Sequence, residues 1–349
     1  MSYIRKPEVR HSKLPVNALG LTTRDYEGAM STLCAGCGHD SITATLIHAI
    51  WELGVEPHKV AKMSGIGCSS KTPTYFLSQA HGINTVHGRM PSIATGAHAA
   101  NRELLCIGVS GDGDSLSIGL GQFAHALRRN VDMLYLIENN GVYGLTKGQF
   151  SASADIGSTA KRGEVNEQPP IDPVITAIAM GATFVARSFS GDREQLIPLI
   201  KAGLKHKGFA MIDIISPCVT FNDHEGSTKS YAHTRKYYHP AIHTDYIEPK
   251  QEIRAAYDEG EVMPIALHDG SKLLLRKTDK DYVPDNRVKA LEFLEDHREK
   301  GEIVTGLLYV EEDGRDFHGL NKTIQSPLTA TAAVLDAKTI LDQVQARFR

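Results

Sequence analysis

Two short polar runs, each following an apolar run, carry residue types able to bind a diphosphate and its metal. Gly111-Asp112-Gly113-Asp114-Ser115 follows Leu104 to Ser110, and Glu138-Asn139-Asn140-Gly141-Val142-Tyr143-Gly144-Leu145-Thr146 follows Val131 to Ile137. Gly111 and Gly113 let backbone N–H groups approach an anion, and the N-terminus of the helix behind them favours negative charge. Asp112 offers a hard carboxylate oxygen, and Asn140, 28 residues on, an amide oxygen. With a loop carbonyl near Val142 and two phosphate oxygens, these donors suit octahedral Mg²⁺. Alone, Gly-Asp-Gly is more often just a turn. Its pairing with Asn-Asn after a second strand points to a diphosphate–Mg²⁺ site.

The cysteines are a second source of chemistry. Cys34 and Cys37 stand three apart among Gly36 and Gly38; Cys68 follows Gly65-Ile66-Gly67; Cys218 follows Ser216-Pro217. Each falls at a loop or strand end, and strand ends of a parallel sheet can converge on one edge. Four convergent thiolates suit Zn²⁺ or an iron–sulfur cluster. A thioredoxin-like pair at Cys34/Cys37, or unrelated thiols, stay open on spacing alone. Cys106 lies inside an apolar run and reads as a small buried hydrophobe. Lys71 and Arg89, each just past a strand end, are candidates for substrate carboxylates or, equally, for surface charge.

The elements that position these residues alternate. Ile42, Leu46, Ala49, Ile50 and Leu53 recur at helical spacing before Gly54. Short strands are expected at 59–67 and near Thr85-Val86, a small-residue helix from Pro91 to Asn101, then strand, loop, helix, strand, loop across 104–147. A Ser-, Gly- and Pro-rich loop at 147–170 is long enough to be functional. Helix 173–180, strand Thr183–Ser188, helix 192–206 and strand Phe209–Ile215 follow, with Pro198 expected to delay or bend the second helix. The pattern predicts an α/β doubly wound parallel sheet whose polar loops gather at the carboxyl ends of the strands, where such sheets bind ligands.

At 349 residues, 41% hydrophobic and 23% charged, the chain has the composition of an ordinary globular protein. A net charge of −3 gives no electrostatic argument for nucleic acid or membrane. No apolar run approaches a membrane span and the start has no signal-peptide core, so a cytoplasmic protein is expected. Residues 1–32 read as an N-terminal arm and 33–220 as the cofactor-binding domain. Residues 221–349 read as a C-terminal, partner-contacting extension. In the extension a helix is expected at 286–300, strands near 271–276 and 303–309, and a closing helix at 328–346. His224, His233, His239 and His243 lie among tyrosines and basic residues; only His239/His243 has i, i+4 spacing. That stretch reads as solvated or subunit-contacting surface.

Gly111-Asp112-Gly113 followed by Asn139-Asn140 resembles the signature of thiamine-diphosphate enzymes. Adding Cys34-x-x-Cys37-Gly38-His39, Gly65-Ile66-Gly67-Cys68-Ser69, His87-Gly88-Arg89 and Cys218, the chain resembles the β subunits of 2-oxoacid:ferredoxin oxidoreductases over roughly 30–225. The run from Asn139 to Gln149 looks like the 2-oxoglutarate or broad 2-oxoacid type. The resemblance implies thiamine diphosphate, Mg²⁺ on Asp112, Asn140 and the Val142 backbone, and a [4Fe–4S] cluster on Cys34, Cys37, Cys68 and Cys218. It implies a cofactor site including Ser69, Gly111, Gly113, Asp114, Gly144, Leu145 and Thr146, with His87 near the reacting centre. The implied reaction converts a 2-oxoacid and coenzyme A, reversibly, to acyl-CoA and CO₂, reducing ferredoxin. An α subunit, in an α₂β₂ assembly, is implied to bring the carboxylate that activates thiamine. A non-redox thiamine-diphosphate decarboxylase or synthase with structural zinc is the alternative.

Overall fold

The structure, a computed structural model, describes residues 14–247, 262–266, 270–277, 282–323, 325–327, 341–342 and 345–346. An eight-stranded sheet runs through it. In chain order the strands are β1 (Val60–Ser64), β2 (His81–Asn84), β3 (Leu105–Gly111), β4 (Met133–Asn139), the small hairpin β5 (Val142–Tyr143) and β6 (Gln149–Phe150), then β7 (Phe184–Phe189) and β8 (Phe209–Ile215). They are followed by β9 (Tyr238–Pro240), β10 (Ile242–Ile247), β11 (Val262–Ala266), β12 (Lys272–Lys277) and β13 (Ile303–Val310). The large sheet has the order β2-β1-β3-β4-β8-β7-β13-β9, and only the β13–β7 pairing within it is antiparallel.

The chain winds outward in both directions from β1 and β3. The loops leaving these two neighbours therefore diverge and open a crevice at their carboxyl ends. β3, β4 and β8 are buried almost throughout, which is why they read as unbroken apolar runs rather than alternating ones. Register then does the positioning. Gly111 pairs with Glu138, and Asn139 with Ile215, so the loops at Asp112, Asn140 and Ser216-Pro217-Cys218 all emerge at one level. A slip of one residue in either pairing would turn every side chain to the other face.

Helices α1 (Gly38–Glu52), α2 (Thr72–Tyr75), α3 (Met90–Ala100), α4 (Leu120–Arg128), α5 (Pro173–Ala179) and α6 (Arg193–Lys205) intervene. α1 packs on α6 and α3 on α4. Asp172 caps α5 through the N–H groups of Val174 and Ile175, and Asp192 caps α6 through that of Gln195. Pro198 neither delays nor interrupts α6, which starts at Arg193. Its ring removes one bond to the preceding turn, and buried Leu196, Leu199 and Ile200 hold the helix to the sheet.

Several expectations shift. The second strand is 81–84 rather than Thr85-Val86; Thr85, just past it, still bonds the Ser64 carbonyl through its N–H and its Oγ1 before the chain turns at His87-Gly88. The helix after Gly-Asp-Gly begins as a π-helical turn, Gly113–Ile118, before α4; such widened turns recur at functional sites. The part of the arm within 14–32 lies on the body, with Tyr26 buried and its hydroxyl bonded to the Val55 carbonyl; residues 1–13 lie outside the described residues. The 221–349 segment supplies β9 and β13 to the large sheet itself. The closing helix expected at 328–346 falls largely outside the described residues. Among the described residues no helix is long and apolar enough to cross a membrane.

Candidate functional site

The crevice between the β1 and β3 loops is lined by His39, Ile66, Gly67, Cys68, Ser69, His87, Gly111, Asp112, Gly113, Asp114, Ile118, Glu138, Asn140, Val142, Tyr143, Gly144, Leu145 and Thr146. The two polar runs, the Cys68 turn and His87 thus meet in one place. Lys71 and Arg89 do not line it: Lys71 ends the turn Ser69–Lys71, and exposed Arg89 precedes α3.

Asp112 is buried at the centre of a hydrogen-bond cage. Its Oδ1 accepts from the Asn140 N–H at 3.3 Å, and its Oδ2 from Ser153 Oγ at 2.6 Å and from Ser151 Oγ. Asn140 Oδ1 accepts from the Val142 N–H at 3.0 Å, and Asn222 Nδ2 holds the Asn140 carbonyl at 2.7 Å. A carboxylate and an amide oxygen on touching loops are the oxygen donors a hard divalent cation takes, so this donor set fits Mg²⁺. Gly113 is required sterically, because a Cβ there would meet the Tyr143 ring at 2.5 Å.

Asp114 has a different task. Its Oδ2 accepts from Ser110 Oγ at 2.8 Å and its Oδ1 from the Gly88 N–H at 2.9 Å. It ties the His87-Gly88-Arg89 turn to β3, and Gly88 has φ +66° with a Cβ position 2.7 Å from Gly119 Cα. Asp114 also leaves no room for a side chain at Gly65. The turn therefore needs glycine at 65, 88 and 119 together.

The four cysteines of the loops are free thiols. Cys218 raises the pKa of both Cys37 and Cys68 by its proximity, and Cys34 that of Cys68, though burial is the larger cause for each. Burial pushes the Cys37 thiol up to about 12. A Cβ at Gly144 would lie 3.5 Å from both Cys68 Sγ and Cys218 Sγ, and Thr220 Oγ1 bonds Cys34 Sγ at 3.4 Å. Cys68 lines the crevice, Cys218 lies with it at Gly144, and Cys34 and Cys37 are close enough to influence this pair electrostatically. That fits a group that deprotonates thiols on binding. Cys106 is buried within β3, apart from these loops.

Motif reading missed two neighbours. Glu138 and His39 are fully buried in the crevice wall, His39 Nδ1 lying 3.6 Å from Glu138 Oε2 and 2.6 Å from Ser216 Oγ. Burial lowers the His39 pKa to about 4 and raises that of Glu138 well above 4.5, against the opposing bond from Thr72 Oγ1 at 3.0 Å. Ser151 and Ser153 were missed too; the only signal was the serine-rich loop that carries them.

Residues 65–214 match the thiamine pyrophosphate enzyme, C-terminal TPP binding domain. The 2-oxoacid:ferredoxin oxidoreductase subunit beta of Saccharolobus solfataricus is 44% identical over 211 residues, 60% of this chain and 67% of that one. The chain belongs to this family of 2-oxoacid:ferredoxin oxidoreductase β subunits. Subunit KorB of the Mycobacterium tuberculosis 2-oxoglutarate oxidoreductase is 41% identical over 191 residues, 54% of this chain and 51% of that one. The match thus spans about two thirds of one curated relative and half of the other. A 2-oxoglutarate:ferredoxin oxidoreductase from Magnetococcus marinus, solved with 2-oxoglutarate, coenzyme A and succinyl-CoA bound, superposes with a TM-score of 0.71. That match has 28% identity and covers 93% of this β subunit and 96% of that chain.

Proposed function

We propose that this β subunit carries the diphosphate half of the active site of a 2-oxoacid:ferredoxin oxidoreductase. Its substrate is 2-oxoglutarate, converted with coenzyme A to succinyl-CoA and CO₂ with electrons passed singly to ferredoxin. The observation that carries this is the meeting, in one crevice, of the caged Asp112–Asn140 pair with Cys68 and Gly144, whose Cβ position lies 3.5 Å from the sulfurs of both Cys68 and Cys218. The ligands in the Magnetococcus marinus enzyme support the choice of 2-oxoacid.

Bound thiamine diphosphate supplies a carbon nucleophile and an electron sink. The chain's residues do the rest. Asp112, Asn140 and the Val142 backbone would hold Mg²⁺ against the diphosphate, and Gly111 and Gly113 let backbone approach it. Cys34, Cys37, Cys68 and Cys218 would hold a [4Fe–4S] cluster, whose one-electron chemistry matches ferredoxin. Burial disfavours the charged forms of both His39 and Glu138 in the crevice wall. His87 lines the crevice on a turn held by Asp114 through the Gly88 N–H, which supports a role for it near the reacting centre. Lys71 and Arg89, outside the crevice lining, would reach a substrate carboxylate only across its rim. Structural zinc in a non-redox enzyme has no support from the relatives. The working unit is α₂β₂ in the cytoplasm.

Co-expression with the α subunit and side-by-side assay of CoA-dependent ferredoxin reduction with 2-oxoglutarate and pyruvate tests this. Faster turnover of 2-oxoglutarate is expected. No 2-oxoacid-dependent reduction in a cofactor-loaded complex would overturn it.

A further inference from the structure

Away from the crevice, three metal-ligating side chains converge at the far edge of the sheet. β9 pairs with β13 in parallel, Ile303 opposite Tyr238 and Val304 opposite His239, so the register sets His239 near Glu302, the residue before β13. Between β12 and β13 lies the helix Arg287–Glu299, which carries His297 in its last turn. The Glu302 N–H bonds back to the His297 carbonyl at 2.9 Å and fixes the turn between them. One ligating atom from each of His239, His297 and Glu302 lies within 4.8 Å of the others.

His297 is oriented for coordination. Its Nδ1 lies 2.9 Å from the Phe293 carbonyl, which can only accept, so Nδ1 donates there and Nε2 is the nitrogen left to face Glu302. The ring stacks on Phe293 with centroids 3.9 Å apart, and Nε2 lies 3.5 Å from Glu302 Oε2. A carbonyl-oriented imidazole is the support that metal-binding histidines almost always have. Zinc bonds of about 2.0–2.2 Å at tetrahedral angles separate ligand atoms by about 3.3–3.6 Å. The His297–Glu302 spacing fits without movement. His239 brings a second imidazole to the pair, its ring centroid 4.8 Å from that of His297.

We propose that His239, His297 and Glu302 bind one divalent transition metal of the zinc class, separate from the crevice and the cysteines, and that it pins β9 to this helix and to β13. Two imidazoles and one carboxylate favour Zn²⁺ over the all-oxygen preference of Mg²⁺ or Ca²⁺. Three protein ligands leave a fourth position to water. The consequence is local: a three-residue strand at the sheet's edge gains a cross-link that its few backbone bonds do not supply.

The test uses the assembled, cluster-loaded protein, cleared of loose metal and titrated with Zn²⁺ against a chromophoric chelator. One equivalent should bind, X-ray absorption at the zinc edge should show nitrogen and oxygen ligands without sulfur, and the melting temperature should rise. His239→Ala and Glu302→Gln, both at partly exposed positions, should weaken that equivalent at least tenfold and remove the rise in melting temperature. Circular dichroism checks that they fold. No zinc with nitrogen and oxygen ligands in the wild type, or unchanged uptake by the folded variants, overturns the site.

Discussion

Ser153 Oγ lies 2.6 Å from Asp112 Oδ2 and 2.9 Å from Asn139 Oδ1, so one hydroxyl joins the Asp112 carboxylate to the strand beside it. The connection continues inward. Asn139 Nδ2 donates to Asp213 Oδ1 at 3.0 Å, and Arg187 bridges Asp213 and Asp172, the cap of α5, at 2.7 Å each. The aim of Asp112 is therefore set by a buried network reaching across β4, β8 and β7. Partners of this kind are worth about 10–100-fold in metal affinity. Ser153→Ala should weaken Mg²⁺-dependent thiamine-diphosphate binding by that order with the fold intact, while Asp112→Ala should abolish retention. Calorimetric titration at fixed Mg²⁺ measures both, and wild-type affinity in Asp112→Ala would refute the metal assignment.

The cysteines separate by position. Serine at Cys68 or Cys218, whose sulfurs both lie near Gly144, should bleach the visible absorption of the proposed cluster and cut electron transfer to ferredoxin. Cys106→Ser buries a hydroxyl in β3 and should cost roughly 1–3 kcal/mol of stability with the iron retained. Iron analysis and denaturant titration of the three variants decide it. Iron lost from Cys106→Ser and kept in Cys218→Ser would reverse the ligand set.

What the sequence made legible was whatever lies near its partners in the chain. The β3–β4 unit, the Asp112–Asn140 pairing and the strand ends bearing Cys68 and Cys218 follow from local apolar runs and turn residues. Ser153 was not legible as a supporter of Asp112, because a serine in a serine-rich loop carries no signal until register brings it to β3. Glu138 was hidden for the opposite reason. It ends an apolar run like an ordinary strand terminus, and only its burial between Thr72 and His39 marks it. β9 and β13 joined the main sheet despite a charged surrounding composition. Long-range pairing is decided by edge geometry, and composition does not report it.

Stability should fall on the acid side through His98. The ring is buried beside His318, centroids 4.4 Å apart, and neither ring nitrogen has a hydrogen-bond partner among the described residues. Burial is the main cause that lowers its pKa from 6.5 to about 4. The unfolded chain then binds the extra proton first, so stability is full above pH 6.5 and is lost progressively down to about pH 4. At about 1.4 kcal/mol per unit, the loss is on the order of 3 kcal/mol. His98→Leu should flatten that limb of the stability–pH curve in denaturant titrations from pH 8 to pH 4. An unchanged slope would show that His98 is not the group responsible.

The chain alone should be half a catalyst. Thiamine is activated by a carboxylate that accepts a hydrogen bond at the aminopyrimidine end, and the crevice holds three acids. Asp112 is committed to the Asn140 and serine donors, and Asp114 to Ser110 and Gly88. Glu138 sits two residues from Asn140, at the diphosphate end, where it accepts from Thr72 Oγ1 and lies against His39. On this proposal the missing carboxylate belongs to the α subunit, across an obligate interface expected to exceed about 2,000 Å². The isolated chain, reconstituted with iron, sulfide, Mg²⁺ and thiamine diphosphate, should bind cofactor weakly and show no CoA-dependent dye reduction. Adding the α subunit should restore turnover, and Glu138→Gln should keep most of it in the complex. Substantial turnover by the lone chain, abolished by Glu138→Gln, would instead place the activating carboxylate at Glu138.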